Sequence, residues 1–475
     1  MMLAVFFILS LALSGVVLLS GSRALTRFLS LVFSALLLAV TVHAWLSKGG
    51  TELTYFTYDS TAVLLLSVLA LLTLPTLYHG FIYTRDDTVK RTNIYHSGLI
   101  ALMTFMAGAY LANTMTVLWI FVEATTLAVA VLIYHDRTEM ALEATWKYVF
   151  ICSTGIALAY LGILFLGFIY GRGDAPNLSF SSFARVLSNA DPMYLRIAFI
   201  FVLVGFSTKM GLFPMHTVTI DAHSVAPPPV SALISTTLMN VGFLAIFRVY
   251  TLFASTPVLP FMNHVLVLAG LLSLLISAGY MLKAKHLKRM LAYSSLENMG
   301  LVAIALGTGK YGYYAALLLI VLHSLAKSSL FYQMGQLSRI LHTFKLDESG
   351  RYMKLYPAGA MVLLTGMICI LAIPPSGIFI SEFMIFKAMV SSGQWFALTV
   401  AAILLCFVIY AMSTRIMHLT FSSPRNEEEL KLPGNVSPAE TVSQFILLGL
   451  VIMVCFWQPP FLVELINSSI SMLPW

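Results

Sequence analysis

Charge is scarce in this chain. Asp, Glu, Lys and Arg make up 10% of 475 residues, where an average soluble domain carries about 25%. Hydrophobic residues reach 59% and the mean hydropathy is +0.90. Too little polar surface remains to cover a water-facing globule, and a chain this apolar is not disordered. Cysteine is as sparse. Cys152, Cys369, Cys406 and Cys455 stand singly in apolar segments, with no Cys-x-x-Cys. They do not read as a disulfide framework, a zinc site or an iron–sulfur site. Phosphate-binding loops, dinucleotide fingerprints and nucleophilic triads are also missing. The 24 methionines read as apolar filling.

What the sequence has is long apolar runs. They continue well past ten residues without polar alternation, which argues against a β-barrel. The expected fold class is an all-α polytopic membrane protein. A spanning helix needs about 20 residues, so the chain has room for roughly fourteen. The spacing predicts spans at 2–20, 25–46, 60–84, 93–111, 114–134, 144–170, 194–216, 228–253, 261–282, 290–308, 311–340, 357–391, 393–420 and 439–465. The first run lacks a basic flank and leads directly into another apolar run, so it reads as a span rather than a signal peptide.

The net charge of +7 reads as basic loops rather than a nucleic-acid surface. One set of alternate loops holds most of the basic residues, among them Arg23, Arg85, Arg137, Lys283, Arg289, Lys345, Arg415, Arg425 and Lys431. The other set holds few, including Lys48, Arg172, Arg185, Arg196 and Lys310. This asymmetry places the first set in the cytoplasm and both termini on the opposite side of a cytoplasmic membrane.

Two spans are interrupted, the seventh by Lys209-Met-Gly-Leu-Phe-Pro214 and the twelfth by Ile373-Pro-Pro-Ser-Gly377. Proline removes a donor and glycine relaxes the backbone, so both helices should break inside the membrane. The expected organisation is a single membrane domain over 1–475. Three N-terminal spans occupy 1–92, a first five-helix unit 93–253, a second 261–420 and a last span 439–465. An odd number of spans per unit makes the two units inverted repeats, and broken helices at matching places in such repeats point to a transport site.

Setting aside the charges that read as loop residues leaves a short list, Glu123, Lys209, Lys327 and Glu382, with Lys387 a weaker fifth. Each costs about 2.5–3.5 kcal/mol at a helix centre and persists when it has a partner or a task. Glu123 is a proton acceptor or the countercharge of a lysine, against the plainer role of a static anchor. Lys209 stands just before the first break, which disfavours snorkelling to the interface. Burial disfavours a charged lysine and a nearby carboxylate favours it, so moving the carboxylate switches the lysine between holding and releasing a proton. His323 and Lys327 are four apart and share a helix face. They read as relay groups, the alternative being a satisfied core histidine. Glu382 follows the second break and is the candidate terminal proton site. Lys387 is either a relay member or an interface lysine.

Other polar residues carry weaker signals. His216, Asp221 and His223 flank the seventh connection and are candidates for gating or for capping. Their spacing resembles a metal motif, which Pro227-Pro-Pro229 and the membrane setting disfavour. Glu143 and Lys147 are expected to form an i,i+4 ion pair, with a proton-path role second. Glu297 is expected near a helix start.

These motifs together resemble the antiporter-like subunits shared by respiratory complex I, multi-subunit Na+/H+ antiporters and membrane-bound nickel–iron hydrogenases. The resemblance runs over about the third to thirteenth spans. It is carried by Trp119-Ile-Phe-Val-Glu123, Lys209-Met-Gly-Leu-Phe-Pro-Met-His216, Asp221-Ala-His223, Pro229-Val-Ser-Ala-Leu233, Leu291-Ala-Tyr-Ser-Ser295, His323-Ser-Leu-Ala-Lys327 and Phe379-Ile-Ser-Glu-Phe383. Leu142-Glu-Ala-Thr-Trp-Lys-Tyr148 and Ile151-Cys-Ser-Thr-Gly-Ile-Ala157 look most like the hydrogenase-4 component F branch, as in formate hydrogenlyase-type complexes.

The resemblance implies fourteen helices with inverted repeats, Glu123 and Lys209 as a coupling pair, and His323, Lys327 and Glu382 as further path residues. It implies a proton-translocating subunit of a redox-driven complex that binds no cofactor itself. Nickel–iron and iron–sulfur centres would sit on partner subunits. Its partners would be other membrane subunits, some antiporter-like, and a soluble redox arm. Relatives often carry His or Lys in the eighth span, where Ser235 and Asn240 stand here without charge. The connection from His216 to His223 also departs from the usual form. A Na+/H+ antiporter module, a complex I pumping subunit and a non-transporting scaffold are the competing readings.

Overall fold

The computed structural model of the chain describes residues 2–170, 179–180, 183, 187, 190–423 and 436–474. Arg172, Arg185, Arg425 and Lys431, used above to judge orientation, lie outside the described residues. Among the described residues thirteen helices are long and apolar enough to cross a membrane. The twelfth expected span is made of two shorter helices, Pro357–Ile370 and Gly377–Ser391. The chain is a polytopic α-helical membrane protein.

Local chemistry sets where the helices begin. Asp59 accepts from the Ala62 amide at the start of Ser60–Tyr83, the third span. Thr88 caps Val89–Leu111, the fourth span, and Thr114 caps Met115–Ile133, the fifth. Each side-chain oxygen satisfies an amide with no partner in the first helical turn.

Both interruptions fall where the sequence places them. The seventh span runs from Pro192 to Met210, stops at Gly211 and resumes as Thr217–Val225. Gly211 has φ +70° and its amide bonds Ser207 O at 2.8 Å, a left-handed helix stop that suits glycine. The Phe213–Pro214 bond is cis, as is Pro374–Pro375 in the second break. Ser376 restarts the twelfth span by capping Ile378 N. The last expected span, 439–465, requires correction. It is two helices, Val442–Phe456 and Pro460–Ile470, because consecutive prolines at 459 and 460 cannot donate to the helix ladder.

The chain forms two compact units. The first comprises Met1–Ala226, Thr237–Val265 and Phe461–Trp475, and the second comprises Pro227–Thr236 and Leu266–Pro460. In the first, Glu139–Tyr170 (the sixth span) packs on the seventh through small residues. A Cβ on Gly205 would lie 2.5 Å from Gly155 O and Ala159 N. Close backbone approach of this kind is how membrane helices gain dispersion contact. In the second, Leu287–Gly307 (the tenth span) is wholly buried and Tyr313–Leu341 (the eleventh) nearly so. Pro228–Phe253, the eighth span, is also wholly buried, and a π-helical turn interrupts it at Ile234–Leu238.

Candidate functional site: two buried lysine–carboxylate sets

In the first unit, Glu123 and Lys209 are brought close, but not as an ion pair. Lys209 is 2% exposed. Its Nζ donates to Thr126 Oγ1 at 2.8 Å and to the Tyr148 hydroxyl at 3.1 Å, and it sits 5.0 Å from the Tyr148 ring centroid. Thr126 Oγ1 in turn donates to Glu123 Oε2 at 3.4 Å, while Ser153 Oγ donates to Glu123 Oε1 at 2.8 Å. The ammonium is therefore held by neutral oxygens, and the carboxylate stands one hydroxyl away.

The backbone carrying Lys209 is fixed from the eighth span. A Cβ on Gly242 would lie 2.3 Å from Met210 N and 2.8 Å from the Lys209 carbonyl carbon. Only a glycine lets the helix approach that closely. The Gly211 stop lies directly beyond, so Lys209 occupies the last turn before the break.

The second unit holds a richer set than the sequence suggests. Lys327 is fully buried and its Nζ donates to Leu291 O at 2.7 Å. His323 lies one turn earlier on the same helix, also fully buried. Glu297, expected near a helix start, instead lies mid-helix in Leu287–Gly307 and is 2% exposed. The helix begins at Leu287, so its N-terminal dipole is distant from Glu297. Asn298 Nδ2 donates to Glu297 Oε2 at 2.8 Å. Glu297 interacts electrostatically with both Glu382 and Lys327. A cavity of about 310 Å³ is lined by Glu297 and Glu382, with Phe379, Phe383 and Cys406 on its walls.

Buried hydroxyl groups lie in the same unit, and Ser295 Oγ donates to Leu291 O, the carbonyl that Lys327 also bonds. Ser235 and Ser295 share a hydrogen bond of 2.7 Å, and Ser328 Oγ donates to Thr236 Oγ1 at 3.5 Å. All four are fully buried. Ser235 thus contributes a hydroxyl where relatives are expected to carry charge. Asn240 is buried beyond the π-helical turn, in the first unit.

The remaining candidates divide. Glu143 and Lys147 form the expected i,i+4 ion pair, exposed at the helix surface. Lys387 is exposed on Gly377–Ser391, unlike the buried lysines. His216 is buried at the start of Thr217–Val225, with the Phe213 ring stacked at 6.2 Å. His223 is buried on that helix and Asp221 is half-buried. Among the described residues no group of three or more His, Cys, Asp or Glu side chains is placed to hold a metal ion.

Sequence reasoning missed three groups. Thr126, Tyr148 and Ser153 make the hydrogen bonds of the first set, and only their place in apolar helices hints at it. Glu297 lies ten residues into a helix that starts at Leu287, earlier than the expected 290, which removes it from the helix end. The eighth span also carries a charge, Arg248, which is buried and paired with Asp59 at 2.7 Å. Its position near the helix end hides it among loop residues.

Broken spans with buried lysines and carboxylates are the marks of an antiporter-like membrane subunit. The family described as NADH:quinone oxidoreductase/Mrp antiporter, transmembrane, matches residues 112–408, and the chain belongs to that family. A hydrogenase-4 component F homolog from Methylacidiphilum infernorum is 34% identical over 338 residues, 70% of this chain and 71% of that protein. Hydrogenase-4 component B of Escherichia coli is 26% identical over 453 residues, 86% of this chain but 64% of that protein.

Solved structures share the fold. A chain of the membrane-bound sulfane sulfur reductase, an archaeal respiratory membrane complex, superposes with a TM-score of 0.85 at 20% identity, covering 99% of this chain and 97% of that one. A chain of the Mrp complex from Dietzia sp. DQ12-45-1b gives 0.84 at 17% identity, covering 99% and 96%. A chain of respiratory complex I from Thermus thermophilus gives 0.76 at 20% identity, covering 96% and 97%. These relatives sit in multi-subunit membrane complexes.

Proposed function

We propose that the chain translocates protons as a subunit of a redox-driven complex of the membrane-bound hydrogenase type. The observation that carries this reading is the state of Lys209: a buried ammonium held by Thr126 and Tyr148, with Glu123 one hydroxyl away. A small shift at Thr126 brings carboxylate and ammonium together or parts them. Burial disfavours the charged lysine and the carboxylate favours it, so this movement loads or releases a proton. The second unit carries its own set. There Lys327, Glu297 and Glu382 exchange a proton beside a cavity, with His323 as a neighbouring relay group.

The likeness to the hydrogenase-4 component F homolog supports the hydrogenase branch. Nickel–iron and iron–sulfur centres then belong to partner subunits, and electron flow there drives the switch. The five-helix stretches 93–253 and 261–420 act as inverted repeats in a cytoplasmic membrane, with both termini on the non-cytoplasmic side. His216, Asp221 and His223 lie beside the first break, where they gate proton uptake. The test is proton pumping by the reconstituted complex carrying Glu123→Gln or Lys209→Ala. Pumping should disappear while electron transfer persists, and unchanged pumping would sink the scheme.

A Na+-exchanging reading has one observation in its favour, the two carboxylates lining one cavity in the second unit. Carboxylate oxygens at a broken helix suit Na+ as well as a proton. Transport that ignores Na+ removes this reading.

A further inference from the structure

A second cavity, of about 440 Å³, lies in the first unit and is not lined by the lysine–carboxylate set. Its volume falls in the range of small-molecule sites, roughly 300–1,000 Å³. Arg248 lines it near the end of the eighth span, with its side chain 8% exposed. Arg248 Nη2 makes both of the residue's hydrogen bonds, to Asp59 Oδ2 at 2.7 Å and to Tyr110 O at 2.9 Å. Nη1 is buried with no hydrogen-bond partner among the described residues, and so is Thr251 Oγ1. Thr251 lies three residues further on, on the same helix face, and lines the same cavity. A buried donor left unpaired costs about 1–3 kcal/mol, more when charged. Two beside one cavity call for an occupant.

The surroundings define its chemistry. Asp59, Asn113, Ser469 and Met472 also line the cavity, and the guanidinium lies 5.2 Å from the Phe180 ring centroid. Asp59 caps the third span, Tyr110 lies near the end of the fourth, and Arg248 near the end of the eighth. The site is therefore at helix-end depth, where lipid headgroups lie. The short helix Pro460–Ile470 borders it, and Phe461 and Met472 are exposed there, 57% and 83%, as residues against acyl chains are. Asp59 is 41% exposed. A simple anion at Nη1 would be repelled by its carboxylate.

We propose that this cavity holds the headgroup of a zwitterionic phospholipid with a primary ammonium. Its phosphate bonds Arg248 Nη1 and the Thr251 hydroxyl, and its ammonium donates to Asp59. An ethanolamine headgroup satisfies both partners, because its ammonium retains N–H donors that a choline headgroup lacks.

The test is lipid back-titration of the delipidated full-length protein in its complex. Native mass spectrometry reads retention of phosphatidylethanolamine, phosphatidylcholine, phosphatidylglycerol or inorganic phosphate. Phosphatidylethanolamine should be retained about tenfold better than the others. Thr251→Val, which keeps shape and fold, should lower that retention severalfold. Arg248→Gln should abolish it, and Asp59→Asn should shift preference toward phosphatidylglycerol. Equal retention of phosphatidylglycerol or inorganic phosphate by the unmodified protein overturns the proposal. So does retention of phosphatidylethanolamine unaffected by Thr251→Val.

Discussion

Lys209 and Glu123 meet through a single hydroxyl. Thr126 Oγ1 accepts from the ammonium at 2.8 Å and donates to the carboxylate at 3.4 Å. The long second bond leaves the carboxylate loosely held on that side and firmly held by Ser153 at 2.8 Å on the other. The ammonium and the carboxylate thus meet only through the Thr126 hydroxyl, without the direct contact of a buried ion pair.

Thr126→Val should therefore impair proton translocation by about tenfold or more. It leaves the Lys209 ammonium short of a partner, a loss of roughly 1.5–3 kcal/mol for a charge-assisted bond. Thr126→Ser should retain most activity. Proton uptake per electron in proteoliposomes checks this. Equal loss in both variants would point to packing rather than the hydroxyl.

In the second unit, Glu297→Gln should stop translocation as completely as Glu382→Gln. Both carboxylates line one cavity and Glu297 also interacts with Lys327. Exposed Lys387→Gln should leave pumping nearly unchanged. If Glu297→Gln pumps normally, the second set consists of Lys327 and Glu382 alone.

Gly242→Ala should destabilise the protein and lower pumping together. Its Cβ would intrude to 2.3 Å from the Met210 amide nitrogen, and overpacking of this kind costs about 1–3 kcal/mol. Gly279→Ala meets nothing within 4 Å and serves as the control. Thermal unfolding and pumping of the two variants separate the outcomes. A silent Gly242→Ala would show that the Lys209 backbone tolerates displacement.

His286 gives the protein a pH dependence outside the spans. It bridges to Lys345 at the foot of the tenth span, with the Phe344 ring 5.5 Å away. Burial, then the charges of Lys288, Arg289 and Lys345, push its imidazole down to about 4. In the unfolded chain it titrates near 6.5. Between those values the unfolded chain binds the proton and the folded chain does not, so stability rises with pH. The contribution is complete above about 6.5 and is lost as pH falls toward 4. Melting temperatures from pH 7.5 to 5 should fall less steeply in His286→Gln. An unaltered slope would assign the dependence to other groups.

The helices were largely legible from sequence because a bilayer imposes length and apolarity on every span. The breaks at 211–216 and 371–376 were legible for a related reason: each combines proline with glycine inside a long apolar run. The split at 457–459 is hidden in the sequence because its prolines lie among apolar residues that continue the hydropathy signal. Glu123, Lys209, Lys327 and Glu382 stood out as charges in apolar runs. Thr126, Tyr148 and Ser153 did not, since hydroxyls are common in membrane helices and satisfy themselves on the preceding turn.

By itself, then, the sequence determined that the chain spans a membrane many times, that two of its spans break near residues 211 and 374, and that Glu123, Lys209, Lys327 and Glu382 lie within spans. Each follows from one-dimensional patterning against a solvent of fixed thickness. The tertiary structure decided the partners. It set a hydroxyl between Lys209 and Glu123, carried Glu297 from an expected helix start to a cavity shared with Glu382, and buried Arg248 against Asp59. Lys209 and Thr126 are 83 positions apart, and Arg248 and Asp59 are 189; only helix packing fixes such separations.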